Sequence, residues 1–344
     1  MIRVGVIGYG YWGPNLVRNF SEVAGAQIAA VSDFSADRLA LVRRRYPGVT
    51  TTGDCGEMIQ DPSIDAVVIA TPVSSHFELA MRALEQGKHV LVEKPLAGTS
   101  SEAALLIEAA ERRRLVLMVD HTFVYTAAVR KIRELVSSGA LGDVYYYDSV
   151  RVNLGLFQHD VNVIWDLAVH DLAILEYVIA ERPCAVSATG MSHVPGGLAN
   201  IAYVTAFFEN NLIAHIHVNW LAPVKLRRTL IGGSQRMIVY DDLEPSEKVK
   251  IYDKGITVKS NGPESVYKVL IGYRTGDMLA PQLDLTEALR TEAQHFVQCI
   301  EEGSRPVTDG GAGLQVVRLL EAATHSMNHR GQVVEVGKGQ AVAA

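Results

Sequence analysis

The 344-residue sequence predicts an α/β domain built on a doubly wound parallel sheet, followed by an α+β domain with an open, largely antiparallel sheet. Three observations support this architecture. Short apolar runs alternate with amphipathic helical stretches through the first third of the chain. From about residue 185 to residue 258, several strand-like runs follow one another with few helical stretches between them. The length suits two domains of the usual size, about 150 residues each.

The first domain is expected over residues 1–122. Its strands are predicted at residues 3–7, 27–31, 66–70, 89–92 and 116–119. Its helices are predicted near residues 12–23, 36–46, 75–86 and 101–113. Because these strands are apolar on both faces, we expect helices to cover a parallel sheet on both sides, with right-handed crossovers.

The second domain is expected over residues 123–344. Its helices are predicted at residues 127–138, 164–179, 287–301 and 314–327, and its first strand at 144–152. Two further strands, 201–208 and 212–219, are separated by Glu209-Asn210-Asn211, which predicts a hairpin. The strand 212–219 alternates by face. One face is apolar (Leu212, Ala214, Ile216, Val218), and the other (Ile213, His215, His217, Asn219) suits a substrate cleft or a subunit contact.

Composition and charge exclude several classes of protein. With 48% hydrophobic and 20% charged residues, the chain is not intrinsically disordered. A net charge of −6 argues against a nucleic-acid partner. No apolar run approaches the ~18–20 residues that cross a bilayer, and the N-terminus lacks the pattern of a signal peptide, so we expect a cytoplasmic protein without a membrane partner. Three distant cysteines (Cys55, Cys184, Cys299) support neither a disulfide framework nor a metal site.

A glycine-rich turn follows the first predicted strand. The run Gly8-Tyr9-Gly10-Tyr11-Trp12-Gly13 has the form G-x-G-x-x-G and precedes a predicted helix. Gly8 permits the tight turn, Gly10 lets the backbone approach a pyrophosphate, and Gly13 allows close packing of helix on strand. The helix N-terminus adds N–H donors and a positive dipole end. The pattern predicts a dinucleotide-binding Rossmann domain, in which Tyr11 and Trp12 also line the cofactor. For Trp12, shielding the cofactor and simply starting the helix are both compatible with the sequence.

The second predicted strand ends at Asp33, 20 residues after Gly13. A carboxylate at this point accepts hydrogen bonds from the ribose hydroxyls and repels a 2′-phosphate. It therefore favours NAD over NADP. Arg38 is the alternative, since its cation would offer a contact to that phosphate.

Two motifs carry the predicted catalytic groups. Glu93-Lys94-Pro95 follows a strand, where ligands bind in open α/β sheets, so Lys94 is expected to bind a substrate hydroxyl and stabilise alkoxide charge. On the predicted helix 164–179, Asp166 and His170 are four residues apart and share a face. His170 is expected to take the hydroxyl proton while Asp166 orients it. Asp171, about 100° further round the helix, is the second choice of partner.

These motifs occur in the order found in the glucose–fructose oxidoreductase/inositol dehydrogenase (Gfo/Idh/MocA) family, which the chain resembles over nearly its whole length. They are the glycine turn, Ala70-Thr71-Pro72 with His76, Glu93-Lys94-Pro95 and Asp166…His170. The resemblance implies a Rossmann domain followed by a domain whose sheet often mediates oligomerisation, giving a homodimer or homotetramer. It also implies NAD(P)-linked oxidation or reduction at a sugar or cyclitol carbon.

The resemblance also implies roles for particular residues. It places the catalytic groups at Lys94, Asp166 and His170, the cofactor contacts at Thr71, Pro72, His76 and Glu93, and the substrate contacts at Arg151 and Asn153. The position of Lys94 after its strand also directs it towards the nicotinamide of the cofactor. Tyr125 follows the last Rossmann strand, where lining the nicotinamide and substrate pocket and ordinary packing are equally compatible with the sequence. His215 and His217 lack a third ligand of suitable spacing, so no metal is expected.

The segment 151–171 is most similar to family members that oxidise the carbon-3 hydroxyl of a UDP-N-acetylhexosamine or its uronate, although many of these carry Pro where Val169 stands. The leading expectation is therefore an NAD-dependent dehydrogenase of a nucleotide-linked sugar. The alternatives are an inositol or free-sugar dehydrogenase and a keto-sugar nucleotide reductase. A catalytically inactive dinucleotide-sensing regulator is disfavoured, because Lys94 and His170 are both present.

Overall fold

The computed structural model describes residues 1–155, 160–195, 197–259 and 270–337. The chain forms two compact units. The first unit comprises Met1–Thr126 and Leu285–Glu321, and the second comprises Ala127–Asp284 and Ala322–Ala344. This partition differs from the single boundary expected near residue 122, because a late segment returns to the first unit.

The first unit contains a six-stranded parallel sheet in the order β3-β2-β1-β4-β5-β6. Its strands are β1 (Ile2–Ile7), β2 (Ala26–Ser32), β3 (Thr50–Thr52), β4 (Ala66–Ile69), β5 (His89–Glu93) and β6 (Leu117–Asp120). Its helices are α1 (Gly13–Glu22), α2 (Ala36–Arg45), α3 (Cys55–Gln60), α4 (His76–Glu85) and α5 (Ser100–Arg113). The predicted Rossmann sheet is confirmed, with β3 and α3 in addition. The three threonines of β3 carry little of the apolar signal by which strands were predicted.

The second unit contains a nine-stranded sheet in the order β16-β13-β12-β11-β7-β10-β9-β8-β17. Its helices are α6 (Ala127–Ser137) and α7 (Val169–Val178). Its strands are β7 (Val144–Leu154), β8 (Ala185–Met191), β9 (Ile201–Phe207), β10 (Ile213–Asn219), β11 (Leu221–Gly233), β12 (Met237–Asp241), β13 (Val249–Tyr252), β14 (Gly255–Lys259), β15 (Leu270–Arg274), β16 (Met278–Leu279) and β17 (Val334–Glu335). β14 and β15 form a separate ribbon. In the large sheet β7 and β10 pair in parallel while the described neighbours pair antiparallel, which confirms the predicted largely antiparallel sheet.

The predicted hairpin is formed by β9 and β10, which pair in antiparallel register. The predicted apolar face is buried, with Leu212 4% exposed and Ala214 fully buried. On the other face the Tyr203 ring stacks on His215 and His217, at centroid distances of 6.2 and 4.5 Å. The two histidines therefore form part of an aromatic surface of the sheet.

An ion pair fastens α7 to the sheet of the second unit. The Arg151 Nε of β7 donates to Asp171 Oδ2 at 2.7 Å, and its terminal nitrogen donates to Oδ1 at 3.3 Å. The Ser149 hydroxyl donates to the same Oδ1 at 2.7 Å. Both charged side chains are at most 4% exposed. Because a buried charge needs a partner, this pair sets how α7 lies on β7.

Two late helices follow the sheet, α8 (Ala288–Glu302) and α9 (Gly310–Asn328). In the first unit Phe296 of α8 packs edge-on against Phe20 of α1, at 6.1 Å between ring centroids. The Arg18 guanidinium also pairs with Glu287 at 2.7 Å. These contacts bind the late segment to the first sheet and its helices. No helix in the described parts of the chain is long and apolar enough to cross a membrane.

Removing one partner of the buried pair should destabilise the second unit strongly. Asp171→Ala leaves the Arg151 charge buried and unpaired, so we expect a loss of about 3–5 kcal/mol in the free energy of unfolding. Glu134→Ala is the control, because Glu134 is 65% exposed in its ion pair with Lys131 and should cost under about 1 kcal/mol. Urea titration measures both, and equal losses would contradict a structural role for Asp171.

Candidate active site

The turn after β1 requires glycine at two positions for its own packing. Gly8 has φ +95°, and a Cβ there would lie 2.4 Å from the Ala70 carbonyl oxygen. A Cβ on Gly13 would lie 2.1 Å from the Gly8 carbonyl oxygen. At Gly10 the nearest atom to such a Cβ is 3.7 Å away, on the flexible side chain of Arg38. The turn therefore leaves open space at Gly10, where the sequence predicted the approach of a pyrophosphate.

The N-terminus of α1 suits an anion. Its N-cap residue Trp12 makes no side-chain capping bond, and the first turn holds Pro14 and no acidic residue. Pro14 has no N–H, and the Asn15 N–H already donates to the Trp12 carbonyl oxygen at 2.9 Å. The Gly13 N–H and the positive end of the helix dipole can therefore serve a phosphate. The Trp12 indole does not lie free beside this end, since its Nε1 donates to Asp120 Oδ2 at 2.8 Å. Tyr11 is 87% exposed.

Asp33 lies just after β2 and is fixed by three donors. Its Oδ2 accepts the Tyr9 N–H at 2.7 Å and a guanidinium N–H of Arg38 at 3.3 Å, and its Oδ1 accepts the Ser35 N–H at 2.8 Å. The carboxylate is held at the ribose end of the predicted cofactor site, while the Arg38 side chain is 53% exposed. With the open glycine turn and the uncapped helix, these residues fit an NAD molecule.

The loops after β4 and β5 are tied together by His76. Its Nδ1 lies 2.8 Å from the Pro95 carbonyl oxygen and its Nε2 lies 2.8 Å from the Thr71 carbonyl oxygen. The ring is 1% exposed, and burial lowers its pKa. His76 was expected to line the cofactor directly; the structure corrects this, because both ring nitrogens face the protein backbone. Thr71 and Pro72 occupy the loop that His76 holds.

Lys94 follows the last residue of β5, as the motif predicted. The Lys94–Pro95 peptide bond is cis. The Lys94 N–H donates to Glu93 Oε2 at 3.1 Å, while Glu93 Oε1 is buried. Burial, aided by the nearby charge of Asp120, raises the pKa of Glu93 well above its usual range. Glu93 therefore favours its neutral, protonated form. Glu93 and Lys94 together place a carboxylic acid and a lysine side chain at this edge of the sheet.

Tyr125 is a core residue of the first unit, which favours ordinary packing over the pocket-lining role that the sequence also allowed. Its side chain is 5% exposed. Its hydroxyl lies 2.9 Å from the Thr308 Oγ1, and its ring packs against His295 of α8 at 5.6 Å. Burial raises the pKa of the phenol. The residue contacts the late segment because that segment returns to the first unit, a return that its position in the sequence does not reveal.

Asp166 lies on a π-helical segment rather than on a continuous α-helix. The segment spans Ile164–Ala168, and the Val169 N–H reaches back five residues to the Ile164 carbonyl oxygen. Such short π-helical turns often occur at functional sites. Asp166 Oδ2 accepts the Trp220 indole N–H at 3.0 Å, and Trp220 is 1% exposed. The carboxylate is thus oriented by a buried tryptophan that the sequence did not single out.

His170 lies half-buried in the first turn of α7, one residue before Asp171. Since Asp171 is already bonded to Arg151 and Ser149, it is not available as the partner of His170. This leaves Asp166 as the carboxylate of the predicted pair. The same contacts correct the expectation for Arg151, whose buried guanidinium serves Asp171 and is not a free substrate contact. Asn153, two residues further on β7, is half-buried on the same face.

Asp120, the last residue of β6, was missed by the sequence reasoning. It is 2% exposed and accepts the Trp12 indole N–H. The available signal was its position, because a carboxylate directly after a buried strand is the same pattern that marked Asp33. Within the described ranges, no group of three or more histidine, cysteine or acidic side chains could hold a metal ion.

Two family models match the chain. One, described as the oxidoreductase family with an NAD-binding Rossmann fold, matches residues 2–121. The other, the GFO/IDH/MocA C-terminal domain, matches residues 129–239. The first unit is therefore an NAD-binding domain of a dehydrogenase.

Known relatives span nearly the whole chain. The UDP-N-acetylglucosamine 3-dehydrogenase of Acidithiobacillus ferrooxidans is 30% identical over 325 residues, covering 92% of this chain and 94% of its own. The myo-inositol 2-dehydrogenase of Thermotoga maritima is 25% identical over 350 residues, covering 96% and 98%. The solved structure of the Acidithiobacillus enzyme superposes with a TM-score of 0.80 at 26% identity, covering 95% of this chain and 98% of that one.

The chain belongs to the Gfo/Idh/MocA family of oxidoreductases, as the sequence motifs indicated. It is an NAD-dependent dehydrogenase whose relatives act on sugars and cyclitols.

Alanine substitutions in the glycine turn should separate folding from cofactor binding. Gly8→Ala and Gly13→Ala force a methyl group against backbone oxygens, so we expect each to lose about 1–3 kcal/mol of stability. Gly10→Ala should fold like the wild type but bind NAD about tenfold more weakly, a change of about 1.4 kcal/mol, because its methyl group occupies the open space. Thermal unfolding without ligand and NAD titration measure the two effects. Unchanged NAD affinity of Gly10→Ala would contradict this assignment.

Proposed function

We propose that the protein transfers hydride between NAD and carbon 3 of a nucleotide-linked sugar, a UDP-N-acetylhexosamine or its uronate. The observation that carries this proposal is the 30% identity to the UDP-N-acetylglucosamine 3-dehydrogenase over 92% of the chain. The segment 151–171, which supplies the predicted acid–base pair, supports it, since its sequence is most similar to members with such substrates.

The resemblance to the family assigns the proposed chemical roles. The Lys94 ammonium binds the carbon-3 hydroxyl and stabilises the alkoxide charge that develops. His170 accepts the proton of that hydroxyl, and Asp166 orients the imidazole while Trp220 holds Asp166. NAD supplies the nicotinamide ring that accepts the hydride. The proton leaves the substrate oxygen as the hydride leaves carbon 3, so the products are a 3-keto sugar, NADH and a proton.

The net charge of the protein is −6, so it does not attract the diphosphate of a nucleotide sugar. Arg151 is also bound to Asp171 inside the second unit. We therefore assign recognition of the nucleotide to local N–H donors and to cations other than Arg151. Because the same hydride chemistry serves smaller polyols, the substrate panel has to include a compound without a nucleotide.

The second candidate is an inositol dehydrogenase. The 25% identity to the Thermotoga myo-inositol 2-dehydrogenase, over 96% of the chain, favours it. The proposed roles of Lys94 and His170 are unchanged in this case, because a cyclitol hydroxyl is oxidised by the same proton and hydride transfers. The two candidates differ only in what binds beyond the reacting ring.

A substrate panel decides between the candidates. Purified protein is mixed with NAD and with UDP-N-acetylglucosamine, its uronate or myo-inositol, and NADH is followed by absorbance. We expect turnover with one of the nucleotide sugars and little with myo-inositol. Turnover with myo-inositol alone would replace the first candidate by the second. If the enzyme oxidises NADH in the presence of a keto-sugar nucleotide but oxidises none of the panel compounds with NAD, its reaction is a reduction of the keto sugar.

Substituting the proposed proton-transfer groups should abolish turnover and spare cofactor binding. Lys94→Ala and His170→Ala should each lower kcat at least about 100-fold, the range expected for a lost acid–base group. The NAD dissociation constant should stay within a few-fold, because the glycine turn and Asp33 are untouched. Lys131→Ala, at a partly exposed lysine of α6, is the control and should leave kcat unchanged. Full activity of both variants would overturn the catalytic roles. If the wild type and both variants were all inactive, the result would favour a catalytically inactive, dinucleotide-sensing regulator.

A further inference from the structure

Asp120 joins three parts of the first unit. Its Oδ2 accepts the Trp12 indole N–H at 2.8 Å, and its Oδ1 accepts the hydroxyl proton of Thr122. Across the sheet it is the register partner of Glu93, which precedes Lys94. The Asp120 carboxyl therefore connects the start of the phosphate-binding helix α1 to the edge of the sheet that carries the catalytic lysine.

Glu292 of α8 also faces this carboxyl. It is 0% exposed, and no donor in the described part of the chain reaches either of its carboxyl oxygens. Instead Asp120 and Thr122 face it. An ionised carboxylate buried without a donor is strongly disfavoured, whereas a protonated one has an O–H to give. Asp120 is the acceptor that such a proton requires.

Glu93 completes a cluster of three carboxyl groups. Its Oε1 is buried without a donor in the described residues, and its Oε2 accepts only the Lys94 N–H. Burial together with the Asp120 charge raises the pKa of both Glu93 and Glu292 well above the usual range. Asp120 already accepts two donors, whereas the carboxyl oxygens of Glu292 accept none in the described residues.

We propose that Glu292 is a positioning residue that remains protonated at neutral pH and donates its proton to Asp120, so that Glu93, Asp120 and Glu292 together carry one negative charge. The neutral Glu292 holds Asp120 in place, and Asp120 holds the Trp12 indole at the start of α1. A second negative charge in the cluster would repel Asp120 and loosen this end of the helix. The inference concerns the NAD-binding unit alone and does not depend on the sugar substrate.

The other titratable groups around the cluster do not supply a compensating charge to Glu292. His121, next to Asp120, is 2% exposed, and burial lowers its pKa to about 4, so it is neutral at pH 7. The pKa of Tyr125 is raised by burial and by Glu292, so the phenol is neutral as well. The Lys94 charge acts on Glu93, where it only partly opposes the effect of burial.

The sign of the pH dependence follows from the direction of these shifts. Groups whose folded pKa is raised contribute stability that is full below their unfolded pKa and is lost as pH rises towards the folded value. Each such proton changes the unfolding constant by up to about tenfold per pH unit. The lowered pKa values of His76 and His121 act in the opposite direction, and equally in both proteins. From pH 5 upwards we therefore expect the stability of the ligand-free wild type to fall relative to that of Glu292→Gln, with slopes that differ by about one proton. The amide of glutamine replaces the neutral acid and still donates to Asp120.

A control variant and a spectroscopic measurement isolate the role of Glu292. Glu302→Gln, at an exposed residue of the same helix, should leave the slope unchanged. Infrared difference spectra of the wild type minus Glu292→Gln at pH 7 should show the band of one protonated carboxylic acid, which only the wild type has. They should show no carboxylate band. A Glu292→Gln protein that fails to fold, keeps the wild-type slope, or shows loss of a carboxylate would overturn the proposal.

NAD titration tests the positioning role separately. Glu292→Gln should bind NAD within about twofold of the wild type, whereas Glu292→Met, of similar length but without a donor, should bind about tenfold more weakly. Equal affinity of the methionine variant would show that Asp120 needs no donor from α8 and would refute the positioning role. These measurements use no sugar, so a failure of the substrate panel would not affect their outcome. Failure of these measurements would likewise leave the proposed sugar substrate untouched.

Discussion

Parallel pairing of β1 to β6 brings the carboxyl ends of six strands to one edge of the first sheet, and the cofactor chemistry depends on this constraint. The glycine turn, Asp33, the Thr71 loop, Glu93 with Lys94, and Asp120 each follow or end one of these strands. Because several carboxyl groups meet there, their charges have to be neutralised locally. Asp33 is served by N–H donors and Arg38, whereas Glu93 and Glu292 favour their protonated forms around Asp120.

In the second unit, a buried carboxylate is neutralised by an ion pair. Asp171 and Asp166 lie on the same short segment, yet Asp171 is turned into the sheet, where Arg151 and Ser149 satisfy it. Asp166 is held by the indole of Trp220. The π-helical turn between Ile164 and Ala168 lies directly before the helix that bears His170. One carboxylate therefore fastens the helix, and the other keeps its proposed role of orienting His170.

The elements that sequence reasoning predicted well are those with a strong local pattern. The apolar strands, the glycine turn and the hairpin of β9 and β10 follow from periodicity and from glycine geometry, and the structure contains each of them. The short strand β3 was missed because three threonines carry no apolar period. His76 and Arg151 were assigned to ligands, and Tyr125 was left between a pocket and the core. The reason is that their partners are not adjacent in sequence: two backbone carbonyls, Asp171 and Thr308.

The sequence by itself determined the family, the two kinds of sheet, the glycine turn and the strand ends at which the functional groups lie. These depend on local spacing, which the order of residues expresses directly. Only the tertiary structure decided which polar side chains are taken up by the fold, since this depends on partners far apart in sequence. Glu292 meets Asp120 because the chain returns to the first unit after building the second, and burial there raises the pKa of the Glu292 carboxyl.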